Sequence, residues 1–204
     1  MRAMEFAEVL RRRKMVRNYT DEPVEREAIE RIVSAGLRAP SGGFSQGARF
    51  LVVTDAATRR RIAELAQELE YVAQGFEPWI SRAPVHIVVA TREDDYHDRY
   101  RQPDKLREGE EIPWRVPWWW VDAGTAVMVL LLAAIDEGLG AGLFGVVGDD
   151  NDRLRELVGM PEDFEVVGVV TVGHTAPDPT DERRKEAIRR RRRPLEEVVR
   201  WERW

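Results

Sequence analysis

The sequence predicts a mixed fold, α+β or α/β, in which helices surround a small sheet. Three observations predict it. Short runs rich in β-branched residues, RFLVVT at 49–54, PVHIVVAT at 84–91 and FEVVGVVTVG at 164–173, read as buried strands. Between them stand segments whose apolar residues recur at helical spacing. The stretch 118–138 is apolar nearly all round, which predicts a central buried helix.

Taken in order, residues 4–13 read as a short helix with Phe6, Val9 and Leu10 on one side. Thr20-Asp21-Glu22-Pro23 is a turn and helix start, and 25–38 continues it with Ile29, Ile32, Val33 and Leu37 in register. Pro40 biases Ala39 away from helical angles, so this helix ends there. A helix over 56–74 follows the first strand, with Ile62, Leu65 and Leu69 as its seam. Beyond the second strand, 92–117 mixes charge, Pro and Trp over a length unusual for a plain connection, which predicts a lid or binding loop. A short strand over 142–147 and a helix over 150–158 precede the third long strand, and the tail 181–204 is Arg-rich, then amphipathic. With no repeat and no Gly/Ser linker, the chain reads as one domain, 1–204, with an inserted lid-like loop at about 92–120 and a C-terminal arm at 181–204.

Composition narrows the function. The 204 residues are 43% hydrophobic and 34% charged, enough for a sizeable core under a charge-rich surface. A net charge of −5 argues against a general nucleic-acid binder, which gains from a basic excess. The absence of cysteine excludes thiol nucleophiles, disulfides and Cys-ligated metal centres. The longest apolar run, 126–135, is about half the ~20 residues that cross a bilayer. Residues 1–6 show no apolar leader core, so a cytoplasmic location is expected.

Several motifs fail on context. Gly140-Ala141-Gly142-Leu143-Phe144-Gly145 matches GxGxxG, but a helix precedes it and a strand follows, the reverse of a dinucleotide turn. Asp94, Asp95, His97 and Asp98 lie in a polar loop without metal-site spacing. Ser41 has no hydrolase elbow around it. His86 and His174 sit in or beside strands, where packed or edge histidines are the ordinary reading. Two cationic clusters are more informative: residues 11–17 (RRRKMVR) and five consecutive arginines at 189–193. Such clusters repel unless they face water or an anion sits between them, and arginine forks bind phosphate bidentately. Small residues with Ser and Gln at 39–46 leave short donors free at a turn.

These pieces occur in a familiar order. Arg13-Lys14-Met15-Val16-Arg17-Asn18-Tyr19 followed by Pro23-Val24, then Ala39-Pro40-Ser41-Gly42-Gly43-Phe44-Ser45-Gln46, then Gly138-Leu139-Gly140 before a strand, and the closing pattern at 157–161, 170–174 and 193–199 together resemble the FMN-dependent nitroreductase family over essentially the whole chain. The resemblance implies a three-layer α+β fold with a small, mostly antiparallel central sheet flanked by helices, in an intertwined homodimer. It implies FMN held through its phosphate by Arg13, Arg17, Arg191 and Arg193, with Lys14 and Met15 toward the ring. Pro40, Ser41 and Gly42 would reach the flavin from the partner subunit, and the backbone of Phe144 and Gly145 would approach N5. Phe44, Trp118 and Trp119 are the expected substrate contacts. Met15 and Phe44 depart from the family's usual Ser and Asn, and Gly47 from its Pro.

The implied activity is ping-pong hydride transfer from NAD(P)H, a transient donor, through FMN to nitroaromatic, quinone or similar electron-poor acceptors. No catalytic acid–base side chain, metal, nucleic acid or membrane is expected to take part, because the cofactor carries the chemistry. The alternatives are a reductive dehalogenase or flavin-modifying member of the same family, or a non-enzymatic flavin-binding protein.

Overall fold

A computed structural model describes residues 4–178 and 180–204. Four strands, β1 (Arg49–Val53), β2 (Val85–Thr91), β3 (Gly140–Phe144) and β4 (Glu165–Gly173), make one sheet in the order β1–β2–β4–β3, with every pairing antiparallel. Along the chain lie helices α1 (Phe6–Arg12), α2 (Arg26–Gly36), α3 (Ala56–Leu65), α4 (Glu68–Ala73), α5 (Asp94–Tyr100), α6 (Trp118–Asp136), α7 (Asp150–Leu157), α8 (Asp181–Arg191) and α9 (Leu195–Val198). The class is α+β.

The period of two along β2 explains the layering. Val85, Ile87 and Val89 point to one face, where Ile29 and Ile32 of α2 and Val127, Leu130 and Leu131 of α6 cover them. Val88 points the other way, onto Ile62 of α3 and Leu154 of α7. With both faces covered, β2 is apolar and buried throughout, which is why it reads as a continuous hydrophobic run rather than an alternating one. Helix α6 is long and apolar enough to span a membrane by length and composition, yet its buried residues lie in the first of these cores.

Three expectations need correction. The helix over 56–74 is broken: Gln67 takes a left-handed conformation (φ 58°) and α4 restarts beyond it. The Glu68 carboxylate turns inward to accept the amides of Trp79 at 2.8 Å and Ile80 at 2.5 Å, so a tertiary hydrogen-bond demand overrides the helical pattern. The segment 92–117, expected as a lid or binding loop, is not loop throughout, since it contains α5. The short strand starts and ends earlier than expected, at Gly140–Phe144.

His86 of β2 is fully buried. Its Nε2 lies 2.8 Å from the Ile80 carbonyl, and burial, reinforced by Arg59, lowers its pKa from 6.5 to about 4. The unfolded chain therefore takes up this proton before the folded one does. Stability from this residue is complete above about pH 6.5 and is lost as the pH falls toward about 4, by roughly 3 kcal/mol in all. Urea unfolding at pH 7 and pH 5 should show this slope in the wild type and a flatter one in His86→Gln.

Candidate functional site

The residues following α1 bring their cations to the sheet edge. The Val16 amide donates to the Ala141 carbonyl at 2.9 Å, and the Tyr19 hydroxyl meets Thr171 Oγ1 at 2.7 Å, so this segment runs along β3. The approach requires glycine. A Cβ at Gly142 would stand 2.6 Å from the Val16 carbonyl oxygen and 2.9 Å from Thr171 Oγ1. Gly142 of the GxGxxG match thus serves close packing of one backbone on another, and Gly140 makes room for the Val16 and Thr175 side chains.

From the other end of the chain, α8 folds back over the same region. Lys14 Nζ pairs with Asp181 at 2.5 Å, Lys185 reaches the same carboxylate at 3.3 Å, and Arg184 pairs with Asp178 at 3.0 Å. Between the two segments lies a cavity of about 730 Å³ whose lining includes Arg13, Lys14, Arg17, Arg184, Arg189 and Arg192. Spacing of four residues turns Arg184 and Ile188 of α8 toward it, with Arg192 just past the end of the helix. Among the described residues, Arg13, Arg17 and Arg192 form no ion pair. Although Arg17 keeps access to solvent, crowding by protein and the neighbouring Arg184 lower its pKa, and its guanidinium lies 5.8 Å from the Trp79 ring centroid. A pocket with more cations than local carboxylates is built for an anion.

Met15 also borders this cavity and packs against the main core. Arg191 and Arg193, expected at the phosphate, lie outside the lining and are exposed, because the register of α8 presents Arg189 and Arg192 instead. Phe144 and Gly145 stand at the opposite end of β3 from Gly140, roughly 16 Å along the strand. The Phe144 ring packs edge-on against Trp79 at 5.8 Å, and a Cβ at Gly145 would meet nothing within 4 Å, so that backbone is open on one side.

Pro40 and Ser41 line a different cavity, of about 650 Å³, with Phe44, Asp122 and Ala126. Ser41 Oγ accepts from the Gln46 amide at 3.0 Å, which leaves its hydroxyl hydrogen free to donate outward. Gly42 donates its amide to Asp122 Oδ2 at 2.7 Å. Phe44 is 73% exposed and holds a positive φ of 62°. The first cavity abuts Ile135 and this one abuts Asp122, so the rise of α6 separates them by about 20 Å within one chain.

The expected substrate contacts part company. Trp118 is half exposed, whereas Trp119 is 8% exposed and packs among Tyr96, His97 and Trp114. That position suits packing of the segment rather than contact with a substrate from this chain. His97 Nδ1 lies 2.5 Å from Glu111, and its pKa is raised by Glu111 and Glu93 against the lowering effect of burial. His174 lies at the surface, 3.7 Å from Glu22.

The nitroreductase family profile matches residues 10–174. The chain belongs to the nitroreductase family. Among nitroreductase-family relatives, an FMN reductase [NAD(P)H] of Bacillus subtilis is 29% identical over 170 residues, covering 80% of this chain and 63% of the relative. The chain thus matches less than two thirds of that protein's length. An iodotyrosine deiodinase of Nematostella vectensis is 26% identical over 212 residues, covering 97% of this chain and 75% of the relative. The fold matches that of the NADPH:FMN oxidoreductase from Vibrio harveyi complexed with NAD+, with a TM-score of 0.72, 23% identity, and coverage of 98% of this chain and 77% of that one. Within this nitroreductase fold, sequence reasoning missed Arg192, Trp79, Tyr96 and Asp122. Arg192 was signalled by its place in the arginine run; the other three carry no local pattern and matter only through tertiary neighbours.

Proposed function

We propose that this chain is an FMN-dependent oxidoreductase that takes hydride from NAD(P)H and passes it to nitroaromatic, quinone or similar electron-poor acceptors. The observation that carries this reading is the cavity shared by both ends of the chain, where Arg13, Arg17 and Arg192 stand without carboxylate partners among the described residues. That donor set fits a phosphate monoester, and family membership makes the monoester FMN. When bound, the flavin supplies hydride acceptance and donation.

The chain's residues supply position and charge. Arg13, Arg17 and Arg192 hold the phosphate. Lys14, tied to Asp181 at 2.5 Å, keeps a fixed cation at the mouth of the site. The open backbone at Gly145 lets a flat ring lie close to β3, and the Ser41 hydroxyl donates to a polar ring atom. Phe44 offers an exposed apolar face on the acceptor side. In this reading no side chain need exchange a proton with the acceptor.

The assembly is a homodimer. Pro40 and Ser41 sit about 20 Å from the cationic cavity in their own chain, so a second copy is needed to bring them to it. Trp118, Val121 and Met128 of α6 are exposed apolar residues for such a contact to bury. A second reading, reductive dehalogenation of a halogenated phenol, is favoured by the deiodinase relative that aligns with 97% of the chain.

Protein reconstituted with FMN should show a bound-flavin absorbance spectrum and oxidise NADPH or NADH when menadione is supplied. Anaerobic turnover of a halotyrosine with little menadione activity would favour the second reading. Protein that retains no flavin after reconstitution would contradict both.

A further inference from the structure

The segment 92–117 and Asp122 of α6 are parts of the chain that the proposed function leaves without work. Their contacts converge on one place. Asp122 Oδ2 accepts the Gly42 amide at 2.7 Å and the Tyr96 hydroxyl at 2.8 Å. Arg99 Nε donates to the Gly43 carbonyl at 2.8 Å, and its guanidinium is fixed in turn by Asp104 at 2.7 Å. The Tyr100 ring lies against Gly43, so close that a Cβ there would stand 2.7 Å from it.

The loop so held is strained. Gly43, Phe44 and Gln46 all take positive φ, at 59°, 62° and 54°, and only the first is glycine. Left-handed angles at non-glycine residues persist where surrounding structure imposes them. The loop's internal bonds, Phe44 N–H to Ser41 O and Ser45 N–H to Gly42 O, both 3.0 Å, define one turn but do not tie it to the body of the protein. Arg49 of β1 donates to the Gln46 carbonyl at 2.6 Å; the other ties come from α5 and the start of α6. Those elements are themselves made rigid by Trp114, which packs on Tyr100 at 4.6 Å and donates its Nε1–H to Glu111 at 2.6 Å. Burial first, and then donation to Asp122, raises the Tyr96 pKa, so the phenol stays a donor.

We infer that Asp122, with Tyr96 and Arg99, is a positioning device that imposes the working conformation of the Ser41–Gln46 loop, and that the aromatic insertion serves as its brace. The inference rests on the proposed flavin site, because it gives this loop the task of presenting Ser41 to the cofactor and Phe44 to the acceptor. Asp122 acts only through the loop.

Two measurements separate the inference from the reading beneath it. Hydrogen exchange on the protein without FMN should show amides of residues 41–46 exchanging about tenfold faster in Asp122→Ala, with the amides of β2 and β4 unchanged. FMN titration should show affinity about tenfold weaker in the same variant, with an altered bound-flavin spectrum, and recovery of most of both in Asp122→Asn, which keeps an acceptor oxygen for Gly42. Arg99→Ala, outside the core, should move both readouts the same way and carries the test if Asp122→Ala does not fold. Unchanged exchange at 41–46 in Asp122→Ala and Arg99→Ala overturns the brace. Faster exchange with unchanged FMN affinity and spectrum overturns the positioning role. Faster exchange in a protein whose wild type takes up no FMN supports the brace while defeating the flavin reading.

Discussion

Replacing Arg13 and Arg17 together with alanine is expected to weaken FMN binding by about a hundredfold or more while leaving the fold intact. Hydrogen bonds to a charged group contribute about 1.5–3 kcal/mol each, and each 1.4 kcal/mol is tenfold in affinity. Neither arginine has a carboxylate partner among the described residues, so their removal leaves no buried acid unpaired. Surface changes of this kind move stability by about 0.5 kcal/mol or less, and a chain of this size shifts its Tm by roughly 2–4 °C per kcal/mol. The expected signature is a large change in a flavin-fluorescence titration with an almost unchanged melting curve of the apo protein. Unchanged affinity would remove these residues from the site. Parallel loss of affinity and Tm would make them structural.

The second large effect is expected at Gly142. In Gly142→Ala the new Cβ meets the Val16 carbonyl oxygen at 2.6 Å, Thr171 Oγ1 at 2.9 Å and the Trp79 ring at 3.0 Å. The Val16 carbonyl cannot withdraw without moving the segment that carries Arg13 and Arg17, and Thr171 Oγ1 of β4 is held by the Tyr19 hydroxyl at 2.7 Å. Overpacking of this kind costs about 1–3 kcal/mol. The strain is relieved most readily if the N-terminal segment lifts off β3, which also disperses the cations. Gly142→Ala should therefore lose both Tm and FMN affinity, unlike the double arginine variant. Gly145→Ala, where a Cβ meets nothing within 4 Å, should keep the Tm of the apo protein. If the Gly142 variant melts like the wild type, the N-terminal segment is not packed on β3 as described.

The contrast between these glycines shows what the sequence could and could not reveal. β2 was legible because burial on both faces writes an uninterrupted apolar run; β1, half exposed at the sheet edge, was legible only from its β-branched residues, and α6 from its apolar length, although Trp118, Val121 and Met128 stay exposed rather than buried as expected. The break at Gln67 was not, since the buried Glu68 carboxylate and the amides it accepts are brought together only by the fold. Helix α5 escaped notice because only Tyr96 of its residues is buried, which leaves no apolar stripe to read. At the candidate site, the cationic character of both chain ends was plain from composition. Which arginines face the cavity depends on where α8 begins, and that phase selects Arg189 and Arg192 over Arg191 and Arg193. Asp122 illustrates the limit most clearly: in sequence it is one acid within an apolar helix, and only the fold sets it beneath the amide of Gly42.

The most direct test of the account compares FMN with riboflavin, which differs in lacking the phosphate, by titrating each into the flavin-free protein under the same salt conditions. If arginines from the two ends of the chain hold the phosphate, FMN binds at least about a hundredfold more tightly than riboflavin, and added salt narrows the gap. Equal affinity for the two flavins, insensitive to salt, would contradict it.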